Sequence, residues 1–343
     1  MALDRNRKVT LSDVAERAGV SRTTVSYILG KTRGGFAKET VERVHSAAKE
    51  LGFKPNPIAQ SLRTGRSRLL GLVVESDASA HCYCRSRIEA GIASEAAKHR
   101  HDVLQVVVAP DSALEIRRVG DLLGAGLAAG LILTAPSQRP VIRWLRDYGA
   151  RFVVIGNPNA TGVTSVDIDN IGLGAAMAQH LIELGHRNLL YVAPPDDLSC
   201  GNDRAEGFLL ACAEAGIAPE QSNVVRGENS RAGGYEAMKE AISANLGATG
   251  VCANDDSMAY GAIAAIREAG LRVPEDISVV GCNDDRSVGI DRDFLTTFEL
   301  DFARLGALAA AKIIAMLDED ATPRRELVGF RLIHRNSSGR ARA

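Results

Sequence analysis

The chain is 343 residues long and 45% hydrophobic, enough for two or three domains with buried cores. Its net charge of −1 hides an asymmetry: residues 1–66 carry 13 Lys/Arg against 6 Asp/Glu and the remainder 28 against 36, so a basic head on an acidic body suits a polyanion. No stretch approaches the ~20 apolar residues that span a bilayer, the N-terminus lacks the apolar core of a signal peptide, and the six cysteines form no CxxC pair. A cytoplasmic protein with reduced thiols, no metal and no cofactor is therefore expected.

In chain order, Val9–Leu29 reads as two short helices joined by a tight turn. Leu11, Val14, Ala15 and Ala18 recur at helical spacing, and Gly19 suits the left-handed residue that ends a helix. Ser21 can cap the second helix. On that helix Val25, Ile28 and Leu29 face inward, leaving Arg22, Thr23, Ser26 and Tyr27 outside. An apolar inside with a hydroxyl- and guanidinium-rich outside suits the major groove of DNA. A third helix is expected over roughly Lys38–Leu51, with Gly52 as its stop. Residues 55–67 then form a basic linker in which Ile58 and Leu62 share one side of a short helix.

From Leu69 the rhythm changes. Strand-like runs at Leu69–Val74, Val103–Val108, Gly130–Leu133, Phe152–Ile155, Asn188–Val192, Gly250–Ala253 and Ile277–Val280 alternate with helical stretches such as Gly172–Leu184, Arg204–Ala215 and Met258–Ala269. That order predicts an α/β core of parallel sheets wrapped by helices. Ligands in such folds sit at the carboxyl ends of strands. Here those ends carry Ser76 and Asp77, Asn157, Asp255 and Asp256, and Asn283 and Asp284. The segment His81-Cys82-Tyr83-Cys84, with His99 and His101 further on, offers some metal ligands. No second CxxC or HxxxH completes a site, and the thiols read as buried or loop residues. Trp144, the sole tryptophan, falls on an amphipathic helix and reads as core or interface.

These residues together resemble the lactose/galactose repressor (LacI/GalR) family over nearly the whole chain. The resemblance is carried by Val9–Ser21, Thr24-Val-Ser26, Pro55–Leu62, Leu184-Gly-His-Arg187, Arg204–Phe208, Asp256–Gly261, Ile277–Gly281 and Leu295-Thr-Thr297. It implies a helix-turn-helix headpiece over 1–54 and a hinge helix over 55–67. It also implies an effector-binding and dimerising core over 68–343, like a periplasmic sugar-binding protein with two doubly wound parallel-sheet lobes. The chain is expected to cross between lobes three times, with lobe 1 about 68–164 and 298–324 and lobe 2 about 165–297 and 325–343. Family members are mainly homodimers or tetramers that repress transcription under control of a small molecule between the lobes. Departures stand at Tyr27, where the family often has arginine, and in the first cleft loop, Asp77–Arg85. They also stand at Asn283, where the family has aspartate, and at Asp293-Phe294.

The expected DNA-facing set is Thr10, Ser21, Arg22, Thr23, Thr24, Ser26 and Tyr27 on the headpiece, with Asn56, Ala59, Leu62 and Arg63 on the hinge. Leu62 matches a family leucine that wedges into the minor groove, or else packs against the core. The expected effector set is Asp77, Asn157, Arg204, Asp255, Asp256 and Asn283. Arg204 matches the family arginine that clamps the effector; an interlobe salt bridge is its plainer role. Asp255 reads as a contact and Asp256 as contact or helix cap. A polar metabolite, foremost a sugar or derivative, is the expected effector; a nucleobase or a partner protein are the alternatives. An enzyme is disfavoured because no GxxxxGK[ST], GxSxG or HExxH occurs and no GxGxxG follows the first core strand. A solute-binding protein would not carry a basic headpiece.

Overall fold

The computed structural model describes residues 9–30, 35–54, 67–75, 82–109, 111–134, 140–285, 287–288, 293–319 and 322–342. They form two units, a small N-terminal one reaching to Arg68 and joined by residues 125–127, and a large one from Leu69 onward.

In the small unit Thr10 starts helix α1 (Leu11–Ala18) through a reciprocal capping box with Asp13. The Asp13 carboxylate accepts from Thr10 N and Oγ1 at 2.7 and 2.8 Å. Such a box satisfies donors that the first helical turn leaves open. Gly19 ends α1 at φ 65°, a backbone that only glycine adopts cheaply. Helices α2 (Arg22–Leu29) and α3 (Lys38–Glu50) follow. Val14, Ala15, Ala18, Val25, Ile28, Val44, Ala47 and Ala48 make their common core, the apolar faces read from spacing.

The large unit holds two six-stranded sheets. The first is built from β1 (Leu69–Glu75), β2 (Asp102–Val108), β3 (Gly130–Thr134), β4 (Phe152–Ile155), β5 (Ser165–Ile168) and β11 (Arg325–Val328), in the order β11-β5-β4-β3-β1-β2. The second is built from β6 (Leu189–Ala193), β7 (Ser222–Arg226), β8 (Gly250–Ala253), β9 (Ser278–Asn283), β10 (Thr296–Leu300) and β12 (Phe330–Ile333), in the order β12-β10-β9-β8-β6-β7. All pairings are parallel except that of β12 with β10. Central strands such as β3, β4 and β6 are buried on both faces, which is why they read as unbroken apolar runs.

The lobe crossings depart from expectation. Ser165–Ile168 and Arg325–Val328 pair side by side in the first sheet, although the expected boundaries put both with the second lobe. Thr296–Leu300 lies in the second sheet, so the crossing expected at 298 falls after it. The reason is pairing: each short strand stays with its sheet to its last hydrogen bond, and the chain crosses only in the turn that follows.

Helices cover the sheets: α4 (Cys82–Lys98), α5 (Ser112–Gly124), α6 (Pro140–Tyr148), α7 (Asn170–Glu183), α8 (Ser199–Glu214), α9 (Arg231–Ser243), α10 (Asp256–Glu268) and α11 (Phe302–Asp318). Three helix pairs cross on reciprocal glycines. A Cβ at Gly174 would stand 1.9 Å from the Arg204 carbonyl oxygen, and one at Gly207 would stand 1.9 Å from that of Ile171, so α7 and α8 meet backbone to backbone. Gly91 and Gly306 do the same for α4 and α11, and Gly234 and Gly261 for α9 and α10. Trp144 is half-buried on α6 and stacks on Tyr148 at 4.9 Å between ring centroids. No helix among the described residues is long and apolar enough to cross a membrane.

Candidate functional site: an exposed helix face and an interlobe cleft

The N-terminal half of α2 is held by Ser21, whose Oγ accepts from Thr24 N at 3.0 Å and lies 2.8 Å from Thr24 Oγ1. Thr10 and Ser21 are thus committed as caps of the two helices. Arg22 and Thr23 are exposed, Tyr27 is 45% exposed, and Thr24 and Ser26 are half-buried. With Val25 and Ile28 turned inward, the helical period places Arg22, Thr23, Ser26 and Tyr27 on one solvent face. Asn56, Ala59, Leu62, Arg63 and Asp77 lie outside the described residues.

The cleft residues sit at strand ends of the two sheets. Arg204 does not open its helix, as the sequence suggested; it lies in the second turn of α8, which starts at Ser199. It is 5% exposed. Nε donates to Asn170 Oδ1 at 2.9 Å, and Nη1 donates to the Asn254 carbonyl at 2.6 Å. No described residue takes a hydrogen bond from Nη2. Tyr191, fully buried on β6, donates to Asn254 Oδ1 at 3.2 Å and so fixes the asparagine that holds Arg204. Asn157, after β4, donates to Asp203 Oδ2 at 3.2 Å, which joins the first sheet to α8 across the cleft.

The two adjacent aspartates divide their roles differently from expectation. Asp255 is the cap of α10, accepting from Met258 N at 2.8 Å. Asp256 is 2% exposed and turns inward, with Oδ1 accepting from Thr297 Oγ1 and Oδ2 from Asp285 N, each at 2.6 Å. Burial pushes its carboxyl well above the usual range against the pull of those two bonds, and the charges of Asp255 and Asp284 add to the rise. An environment this closed makes Asp256 a tie between the first turn of α10 and the β9–β10 side, not a carboxylate presented to a ligand.

Asn283 ends β9 at φ 108° and Asp284 follows at φ 50°. Two successive non-glycine residues in this region are costly and persist only where surroundings hold them. The holding groups are visible: Arg335 Nη2 donates to Asp284 Oδ1 at 2.6 Å, and Cys282 Sγ donates to Asn283 Oδ1 at 3.4 Å.

Cys84, Cys200 and Cys282 all lie within electrostatic reach of Arg204. Burial pushes each thiol up, Cys282 to about 12, so all three are neutral at pH 7; Cys84 and Cys200 are half-buried and Cys282 lies fully in the core. His99 and His101 stand past the far end of the 17-residue α4, roughly 25 Å from Cys82 by helical rise, so they cannot join Cys84 around one ion. Among the described residues no group of three or more His, Cys, Asp or Glu is placed to hold a metal.

Residues that the sequence did not single out form the polar network around Arg204: Asp167 on β5, Asn170 at the start of α7, Asp203, Asn254, Tyr191 and Arg325. One signal was available. Asp167 interrupts the apolar run Val166–Ile168 in a strand, yet is only 5% exposed. An ionisable residue in such a place needs a partner, and Arg325 Nη2 supplies it at 3.2 Å.

Residues 10–56 match the model of bacterial regulatory proteins of the lacI family, and residues 178–338 match a periplasmic binding protein-like domain. The chain is 35% identical over 327 residues to the HTH-type transcriptional repressor PurR of Pectobacterium carotovorum subsp. carotovorum strain PC1, with 92% of each chain covered. The fold is similar to a lac repressor dimer bound to operator and the anti-inducer ONPF: TM-score 0.86, 28% identity, 97% of this chain and 100% of that one. It is also similar to the transcriptional regulator CelR in complex with cellobiose: TM-score 0.71, 28% identity, 96% and 100% covered. The chain belongs to the LacI family of bacterial regulatory proteins and is a DNA-binding transcriptional repressor.

Proposed function

We propose that this repressor binds a pseudo-palindromic operator as a homodimer and that a small neutral polar molecule held at Arg204 between the lobes sets its operator affinity. Arg22, Thr23, Ser26 and Tyr27 contact the DNA, with Asn56, Ala59, Leu62 and Arg63 added by the hinge. Thr10, Ser21 and Thr24 orient the helices that present them. One such helix reads too little sequence to single out an operator, and two-fold pairing doubles the readout. The lac repressor neighbour, itself a dimer on operator, supports the pairing.

The observation that carries the effector site is the open Nη2 edge of a guanidinium that is 5% exposed and fixed on its other two nitrogens. A planar fork pre-set in this way donates to ligand oxygens at little cost in ordering. Asn157, Asp255 and Asn283 complete the polar rim, and Asp256 supports the rim from behind; Asp77 is the remaining candidate contact. A sugar or sugar derivative fits a rim of amides and a guanidinium, and the cellobiose complex of the CelR neighbour supports it. A flat nucleobase is the second reading. It is favoured by the half-buried thiols of Cys84 and Cys200 near Arg204, which suit the face of a ring better than a hydroxylated surface.

A thermal-shift screen of sugars, sugar phosphates and nucleobases tests the site, since a ligand of the native state raises the melting point. The hit is expected to change operator affinity, with operator changing its affinity by the same factor. Arg204→Ala should abolish the shift. An effector bound equally well by that variant removes Arg204 from the site, and a blank screen favours control by a partner protein.

A further inference from the structure

Asn170 is 3% exposed and uses both ends of its amide. Oδ1 accepts from Arg204 Nε at 2.9 Å, while Nδ2 donates to Asp167 Oδ1 and to the Ile168 carbonyl, each at 3.2 Å. Asp167 Oδ1 also accepts from Ile168 N at 2.8 Å, and its Oδ2 pairs with Arg325 Nη2 at 3.2 Å. A continuous polar path therefore runs from the cleft arginine on α8 to β5 and β11. Those are neighbouring strands of the first sheet, and after each of them the chain passes into the second lobe.

We propose that Asn170 positions Arg204 and, through Asp167 and Arg325, couples the setting of that guanidinium to the two lobe crossings that follow β5 and β11. The proposal rests on Arg204 being the effector residue. The amide has only one workable orientation: turned over, its NH2 would face the guanidinium and its oxygen the Asp167 carboxylate. A ligand that draws Arg204 by Nη2 must also turn or stretch the Nε bond, and a buried amide has no water to replace that bond. The shift then reaches Asp167. Its carboxyl is a soft link, because burial pushes it up to about 6, against the Ile168 N–H and Arg325, with Asp203 adding to the rise. A small change of its partners alters the strength of the Asp167–Arg325 pair. That pair ties together two of the three strands after which the chain crosses between lobes.

The test is a set of double-mutant cycles on operator affinity, with DNA as the only ligand. A duplex is first selected from random DNA with the parent chain, and its Kd is measured by fluorescence anisotropy for the full-length protein. Arg204→Gln and Arg325→Gln are compared singly and together, in the parent and in Asn170→Ala. The two arginines share no direct hydrogen bond among those described, so independent effects would multiply. With Asn170 present, the double variant is expected to depart from the product of the singles by about threefold or more. With Asn170→Ala the effects should multiply. If Asn170→Ala does not fold, Asp167→Asn replaces it. That variant keeps the shape and the acceptor for Asn170 but removes the charge facing Arg325, and the departure should shrink in the same way. Multiplying effects in the parent, or a departure that survives both substitutions, overturns the proposal. A blank small-molecule screen alongside an intact coupling would instead refute only the effector reading of Arg204.

Discussion

Gly174→Ala is the most demanding test of how α7 and α8 hold Arg204. The added Cβ would sit 1.9 Å from the Arg204 carbonyl oxygen, whereas carbon–oxygen contacts normally stop near about 3.3 Å. The obstacle is backbone, so no rotamer change relieves it, and the helices must separate by more than an ångström on the order of magnitude set by that contact. Overpacking of this kind costs about 1–3 kcal/mol, and a rigid backbone contact belongs at the upper end. Alanine's better helix propensity returns about 1 kcal/mol. The net loss is about 2 kcal/mol, or roughly a 5 °C fall in melting temperature for a unit of this size. Gly124→Ala is the matched control: it ends α5, and a Cβ there meets nothing within 4 Å. The same substitution there should stabilise by a few tenths to about 1 kcal/mol. Thermal unfolding of both variants by circular dichroism decides the matter. A Gly174→Ala protein that melts at or above the parent would show that the close crossing does not set the α7–α8 separation.

Three further outcomes are expected. Selection from random DNA should show relaxed preference at one base of each half-site, and Tyr27→Arg should sharpen it towards guanine, since tyrosine lacks the bidentate fork; an unchanged preference would mean Tyr27 does not face the bases. Ser21→Ala should speed amide exchange in α2 of the full chain by roughly five- to tenfold, the loss of a cap worth ~1 kcal/mol, and unchanged exchange would contradict the cap. Burial holds the His186 imidazole below its ordinary value, where its ring nitrogens bond Thr249, Ser278 and the Gly339 carbonyl. The unfolded chain therefore takes up that proton first, and the group's contribution is present above pH 6.5 and lost as pH falls through its folded value. Asp167 has the opposite sign: its carboxyl is pushed up to about 6, so its contribution grows as pH falls below that and is lost as pH rises through it. Chemical denaturation across pH 4 to 7 should show the acid loss reduced in His186→Gln and enlarged in Asp167→Asn; identical curves for the three proteins would refute both assignments.

Local patterning determined much of this protein. The apolar spacing of Val14, Ala15, Ala18, Val25 and Ile28, the caps at Thr10 and Ser21 and the left-handed Gly19 specify the helix-turn-helix, because every interaction involved is within a few residues. The central strands were legible for a similar reason: a strand buried on both faces must be apolar throughout. Apart from β2, whose Val103–Val108 run is apolar enough to read, the edge strands were not. β7, β11 and β12 are partly exposed, so their residues Ser222–Arg226, Arg325–Val328 and Phe330–Ile333 carry no unbroken apolar run. Which lobe each belongs to depended on partners far along the chain. The cleft divides the same way. Arg204 was legible through its motif, but its fixed orientation was not. That orientation comes from Asn170, 34 positions away, and Asn254, 50 positions away. Arg325 and Asp167 stand 158 positions apart. Their pairing carries no local signature, because burial in a shared cleft, not spacing along the chain, is what forces a charge to find its partner.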